Sequence, residues 1–301
     1  MAIIIALIVI SSIVVPVLLT IGIVWGYRKW QARDGRRSPI ENRVIYGPGE
    51  QLRKRIDEHG DEVLAGMAVL FFLGPYFLAF WALMRIDLAK VSLGWSEFTF
   101  LTAFTVLGAW TIRRIFRHGQ KRRIALAGLK AELYTAQELN RLMALGCTVL
   151  HDIPGENFNL DHVVIGPRAV YSVETKSVRK PPATSTKDHF KVIYDGDCLR
   201  FPDFTDSKRL QQAKRQAEWL ASYLRQATGR QIPVVPALAL PGWWIEASGP
   251  SALPEVRVFN PAGRGANFMA DRAATVVDAG IAALVTQALI MRYPTEASAK
   301  K

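Results

Sequence analysis

Residues 159–177 read NLDHVVIGPRAVYSVETKS. Two runs rich in Val, Ile and Tyr flank the turn signal Gly166-Pro167-Arg168-Ala169, a pattern that predicts a β-hairpin. In a strand, side chains i and i+2 share a face. Glu174 and Lys176 therefore lie side by side, on the face of Val170, Ser172 and Val178. An acid and a base on a half-buried strand cost free energy unless they pair or work. Asp161 opens the first strand of the hairpin, thirteen residues before Glu174. The hairpin can bring the two carboxylates together at one of its ends. Two carboxylates and a backbone carbonyl such as that of Thr175 form a hard oxygen site suited to Mg²⁺ or Mn²⁺. Such a cation polarises a phosphate and lowers the pKa of a bound water. Lys176 can orient that water or offset charge developing on the phosphate. Glu132, one helix earlier, can hold a metal-bound water.

The surroundings of the hairpin predict an α/β domain around one mixed sheet. A helix over residues 122–145 carries Leu129, Leu133, Leu139 and Leu142 at helical intervals and ends at Gly146. CTVLHDI alternates as a strand, and PGENFNL is a loop. HFKVIYDGDCLRF reads as a second hairpin turning at Asp195-Gly196. Residues 206–227 form an amphipathic helix, with Leu210, Ala213, Ala217, Leu220 and Leu224 on one face. IPVVPALALPGWWI and EVRVFNP read as two later strands, followed by a helix over 273–293. The tail, residues 295–301, is expected to be disordered.

Upstream of this domain the chain changes character. It has 301 residues, a net charge of +12 and half its residues apolar; a positive mean hydropathy is unusual for a basic soluble protein. Residues 2–26 carry no charge over about 25 positions and residues 63–84 none over about 22, and either segment can cross a hydrocarbon core of about 30 Å. Residues 96–116 supply a third, shorter candidate. No Lys or Arg precedes the first run, which argues against a cleaved signal peptide. Basic clusters follow the first run (Arg28, Lys29, Arg33, Arg36, Arg37) and the third (Arg113 to Arg123). Both clusters fall on the cytoplasmic side only if three spans exist. The expected topology is a multi-pass inner-membrane protein with its N-terminus outside, a membrane region over 1–117 and a cytoplasmic domain over 118–294. Cys147 and Cys198 lack metal spacing, so reduced thiols are expected and neither a disulfide nor a zinc site has support.

Asp161 followed by Glu174-Thr175-Lys176 resembles the D…(D/E)-x-K pattern of the restriction-endonuclease-like, or PD-(D/E)xK, nuclease superfamily. More narrowly, the chain resembles the nuclease-related domain family, NERD, over about residues 122–245. The stretches that carry the likeness are GLKAELYTAQEL, LHDIPGENFNLDHVVIGPRAVYSVETKS, VIYDGDCLRF and LQQAKRQAEWLASYL. The resemblance implies a restriction-endonuclease-like mixed sheet flanked by helices. It also implies an active-site set of Glu132, Asp161, Glu174, Lys176 and Gln212, with Gln212 chosen over Gln211 by its match to Q-A. One departure is Ala131, where the family often has glycine before the helix acid. The implied activity is Mg²⁺- or Mn²⁺-dependent hydrolysis of nucleic acid, DNA being the expected substrate, beside the lipid bilayer. A homo-oligomer is compatible with this reading. The alternative is a catalytically inactive nuclease fold that binds DNA or a partner protein.

Plainer roles exist for each residue. Asp161 can cap a turn, and Glu174 and Lys176 can be a structural ion pair; His162 can be a base or a ligand, but a packed, hydrogen-bonded core residue is the expected reading. Lys208, Arg209, Lys214 and Arg215 can track a phosphate backbone or simply face water. Trp243 and Trp244 are expected to pack in the core or at a sheet edge, with stacking on a base as the alternative.

Overall fold

The computed structural model describes residues 48–84, 95–181, 188–248 and 254–293, together with Gly22 and Trp25. The chain divides into two compact units, one of Met1–Arg43 and Arg55–Ile124, the other of Val44–Lys54 and Ala125–Lys301. Two long helices, α1 (Glu50–Met84) and α2 (Trp95–Asn140), run through them.

Within the first unit α1 and α2 lie antiparallel. His118 meets His59, Arg114 donates to Glu62 at 2.7 Å, and Phe77 packs on Phe104 with ring centroids 4.7 Å apart. A Cβ on Gly66 would come within 2.6 Å of Ile115, so glycine lets the helices approach closely there. Among the described residues, one helix segment, Glu50–Phe77, is long and apolar enough to cross a membrane. It overlaps the expected second span. The expected third span, 96–116, is helical but falls short of that apolarity. Its threonines and the Arg113-Arg114 pair dilute it, and Thr102 and Thr111 turn their hydroxyls onto the carbonyls of Phe98 and Leu107. The expected first span, 2–26, lies outside the described residues apart from Gly22 and Trp25. The expectation of three spans is thus corrected to a single candidate among the described residues.

The second unit is an α/β fold. After a short 3-10 turn, Arg141–Leu145, capped by left-handed Gly146 at φ +87°, come β1 (Thr148–Pro154), β2 (Asn159–Ile165) and β3 (Val170–Thr175). These are followed by β4 (Lys191–Tyr194), β5 (Leu199–Arg200), β6 (Thr205–Asp206) and helix α3 (Lys208–Thr228). The chain closes with β7 (Val234–Ala239), β8 (Trp244–Ala247), β9 (Arg257–Phe259) and helix α4 (Ala279–Ile290). The final helix is shorter than the expected 273–293 because Asp278 caps it, accepting from the Ile281 amide at 2.8 Å.

There are two sheets rather than one. The main sheet has the order β1-β2-β3-β7-β9, antiparallel from β1 to β3 and parallel from β3 to β9. The second has the order β6-β5-β4-β8. The run IPVVPALALPGWWI, expected as one strand, supplies β7 to the first sheet and β8 to the second. It is broken by a turn at Pro241-Gly242, where Gly242 takes φ +79°. The C-terminal end of α2 and the 3-10 turn cover one face of the main sheet: Leu139 and Leu142 pack on Val149, Val164, Tyr171 and Val173. The other face is covered by α3 and α4, through Leu220, Leu224, Val285 and Leu289 on Ile153, Val163, Ile165 and Val170. Each such fully buried Leu, Ile or Val contributes about 1.5–3 kcal/mol. A third cluster joins the second sheet to α3 and to β7, with Val192, Tyr194, Leu199 and Trp243 against Leu210 and Ala213 of α3 and Leu238 of β7.

Candidate active site

The hairpin register sets the site. β2 and β3 pair as Ile165↔Val170, Val164↔Tyr171, Val163↔Ser172 and His162↔Val173. One step further, at the end away from the turn, the same register puts Asp161 opposite Glu174. Directly opposed residues on one face have Cβ atoms about 5 Å apart. Asp161 also reaches the next residue, its Oδ2 accepting from the Thr175 amide at 2.7 Å. On the other side of β2 the ladder has no pair between His151↔His162 and Ile153↔Leu160. Asp152 sits there at φ +51°, held by Asn159 Nδ2 at 2.6 Å. This local break in β1 lies beside Asp161.

Glu174 is 3% exposed. Its Oε1 accepts from Lys176 Nζ at 2.5 Å and from Gln212 Nε2 at 2.7 Å. Its Oε2 is buried with no hydrogen-bond partner. The i, i+2 expectation holds: Glu174 and Lys176 share the face turned to α3. The helix supplies Gln212 because Leu210 and Ala213 anchor it on the second sheet's core, while the neighbouring Gln211 faces solvent. Burial, then the charges of Glu174 and Glu132, push the Asp161 carboxyl well above the usual carboxylate range, against the pull of the Thr175 amide and Lys176. Glu132, partly buried near the middle of α2's C-terminal half, is thereby within electrostatic reach of the hairpin end.

The donor set can be tested against a hard divalent cation. In its favour stand two carboxylates that repel each other, a third at electrostatic reach, and an orphaned buried carboxylate oxygen. Each of these costs free energy in the bare protein and is relieved by a cation. Against it, among the described residues no group of three or more His, Cys, Asp and Glu side chains is disposed to hold a metal ion. A hard divalent cation would therefore find here a two-carboxylate site, which Asp161 and Glu174 would form and backbone or water oxygens would complete.

Other residues fall outside this set. His162 is a core residue, as expected: its Nδ1 meets His151 Nδ1 at 2.9 Å, and His151 Nε2 meets Asn140 Oδ1 at 3.0 Å. Burial holds the pKa of both histidines below the ordinary value. Arg209 pairs with Asp206 and Lys214 with Glu255, so two of the four helix cations are engaged, while Lys208 and Arg215 face solvent. Sequence reasoning passed over Gln216, buried one helical turn beyond Gln212, and treated Ser172 only as a neighbour on the strand face. The Ser172 hydroxyl is buried without a partner on Glu174's face. The Q-x-x-x-Q spacing on α3 was the available signal for Gln216. A cleft of about 640 Å³ lies toward the other end of β3, lined by Arg168, Tyr171, Lys214 and Arg257, and contains none of the site residues. Cys147 and Cys198 are both free thiols.

With Asp161, Glu174, Lys176 and Gln212 gathered at one strand end, the comparison with known families becomes informative. Residues 127–241 match the family model NERD, the nuclease-related domain. The NERD match runs from the C-terminal part of α2 through β7 and includes Glu132, Asp161, Glu174, Thr175, Lys176 and Gln212. It leaves out α1, most of α2, β8, β9 and α4. No curated protein and no solved structure matches the chain.

Proposed function

We propose that the chain is a membrane-anchored nuclease that hydrolyses phosphodiester bonds of nucleic acid, with DNA as the expected substrate, using Mg²⁺ or Mn²⁺ at the cytoplasmic face. The NERD match supports a nuclease-like activity. The observation that carries the chemistry is Glu174: one oxygen is held by Lys176 and Gln212, and the other is buried, unpartnered and opposite Asp161.

In this reading Asp161 and Glu174 would hold the cation, with the Thr175 carbonyl as a further oxygen donor. A bound cation supplies Lewis acidity to a phosphate oxygen and to water. Gln212 fixes the Glu174 carboxylate so that its free oxygen faces the site. The Lys176 ammonium offsets negative charge on the scissile phosphate and orients the attacking water. Glu132 accepts a hydrogen bond from a water at the site's edge. This assignment follows the PD-(D/E)xK arrangement that the sequence resembles.

Membrane anchoring is supported by the apolar helix segment Glu50–Phe77 and by the exposed side chains of Leu64, Met67 and Phe71 on it, Phe71 being 73% exposed. Tethering would confine cleavage to nucleic acid at or crossing the membrane.

A second reading is a catalytically idle fold that binds nucleic acid or a partner protein. The tight Lys176–Glu174 pair and the lack of a three-residue metal cluster among the described residues favour it. Full-length protein in detergent micelles, incubated with linear, circular and single-stranded DNA and with RNA in Mg²⁺, Mn²⁺ or EDTA, separates the two. Cleavage that requires both the cation and Glu174, tested against Glu174→Ala, supports the nuclease. Binding that survives EDTA, with no cleavage in any condition, supports the idle fold.

A further inference from the structure

The two long helices bring together two histidines that the candidate active site does not use. His59 lies on α1 and His118 on α2, 59 residues apart in the chain, so no local spacing marks them as a pair. The antiparallel packing of the helices sets them in register. Arg114, one turn before His118, reaches Glu62, one turn after His59. Both imidazoles are half-buried between the helices.

Their Nδ1 atoms are 3.3 Å apart, beyond the usual hydrogen-bond range of about 2.7–3.2 Å. Their ring centres are 5.2 Å apart, with the planes at 77°. Two imidazole nitrogens bound at about 2.0–2.1 Å to one tetrahedral Zn²⁺ ion stand about 3.3 Å apart, with their ring centres about 5.2 Å apart. A straight N–H···N contact of this length would hold the ring centres about 5.6 Å apart. The rings are therefore tilted off the line between the nitrogens, by the amount that convergence on one ion requires. The other histidine pair differs: His151 and His162 have nitrogens at 2.9 Å, an ordinary hydrogen-bond distance, and His162 is fully buried.

We propose that His59 and His118 form a binding site for a transition-metal ion of the Zn²⁺ type, with water completing the tetrahedron, and that the ion clamps α1 to α2. Neutral imidazole suits Zn²⁺, Cu²⁺ and Ni²⁺, and the angle between these two nitrogens suits zinc. Mg²⁺ takes oxygen donors, so the pair is chemically apart from the carboxylates of Asp161 and Glu174. Among the described residues no third His, Cys, Asp or Glu joins it, and Glu62 is held by Arg114 at 2.7 Å. Two protein ligands with open water positions make an exchangeable site, one that responds to the free ion.

Zn²⁺ binding to untagged, EDTA-stripped full-length protein in detergent micelles is measured by isothermal titration calorimetry. The Asp161→Asn background sets the carboxylate site aside. One ion should bind per chain. His59→Ala and His118→Ala should each lower the affinity by more than about 10-fold, and His151→Ala should leave it unchanged. Co²⁺ as a probe should give the intense visible absorption of a four-coordinate ion, a readout that needs no variant of the pair. Zn²⁺ at about a hundred times its Kd should raise the apparent Tm when the pair is intact and in neither alanine variant. Zn²⁺ affinity that survives both alanine variants, or that is lost in His151→Ala instead, would overturn the inference. So would a Co²⁺ spectrum of the weak, six-coordinate type. No Zn²⁺ binding beside Mg²⁺-dependent cleavage by the wild type would remove the clamp alone, and Zn²⁺ binding at the pair without cleavage would remove the nuclease alone.

Discussion

Replacing Asp161 by Asn should stabilise the protein in the absence of divalent cations and remove its response to them. Asp161 stands opposite Glu174, with Glu132 at electrostatic reach. At about 5 Å and an effective dielectric of about 20, one carboxylate pair costs about 3 kcal/mol. The Thr175 amide and Lys176 offset part of this, leaving about 1–2 kcal/mol relieved by a neutral, isosteric side chain whose oxygen can still accept from that amide. For a domain of this size the apparent Tm in EDTA should rise by roughly 2–8 °C. The pH dependence has a defined sign. The folded state holds the Asp161 proton more tightly than the unfolded chain, whose carboxyl keeps the ordinary value of 3.8. Wild-type stability therefore falls as pH rises from that value through the raised one and is level above it. The variant should lack this component. Mg²⁺ at about a hundred times its Kd should then add about 2.7 kcal/mol to the wild type and nothing to the variant. Thermal shift in EDTA and in Mg²⁺, over a pH series, reads all three. A variant less stable than wild type in EDTA, or one that gains as much from Mg²⁺, would refute the carboxylate-pair account.

Lys176→Met leaves the Glu174 carboxylate buried without its cation and should cost about 3–5 kcal/mol in denaturant unfolding, in addition to abolishing cleavage; unchanged stability would mean that the pair is not formed. Gln212→Ala removes a hydrogen bond to a charged, buried oxygen and should cost about 1.5–3 kcal/mol. Gln211→Ala, on the solvent side, should stay within about 0.5 kcal/mol, and equal effects would put the wrong glutamine on Glu174. At Gly166 a Cβ would lie 2.0 Å from the Met269 carbonyl oxygen, so Gly166→Ala should lower stability by more than about 3 kcal/mol through overpacking against backbone. Gly196→Ala meets open space but at φ +103°, and should cost only about 1–3 kcal/mol of backbone strain.

The hairpin, both long helices of the α/β unit and the order of elements were readable because each has a local cause. GPRA and DGDC are turn signals, and the leucine spacings of α2 and α3 are helical. What was not readable is where the chain changes sheets. IPVVPALALPGWWI is apolar throughout, and nothing local distinguishes a long buried strand from two short ones in different sheets. Pro241-Gly242 was a break signal, but the decision rests on partners far away. β7 has β3 and β9 on its flanks, and β8 has β4. The apolar weight of α2 was misjudged for a related reason. Threonine satisfies its hydroxyl on the preceding turn, and so a helix can form there without being apolar enough to count as a span.

The site separates along the same line. Asp161, Glu174 and Lys176 were legible because strand alternation and hairpin register are arithmetic, and the register places the two carboxylates opposite each other as that arithmetic requires. Gln212 came only from the family likeness, since helix periodicity says which face a glutamine is on but not which strand it meets. Trp243 and Trp244 show the limit most directly. Two identical neighbours in an edge strand must point to opposite sides, so one of them has to face water unless a second layer covers it. The sequence-based expectation of a core or a sheet-edge position named both outcomes without assigning them: Trp243 takes the core and Trp244 the edge strand. Among the described residues the second sheet has its core on one face alone, the face that takes Trp243. The outward ring is therefore a consequence of topology, set by which face of the second sheet meets α3 and β7.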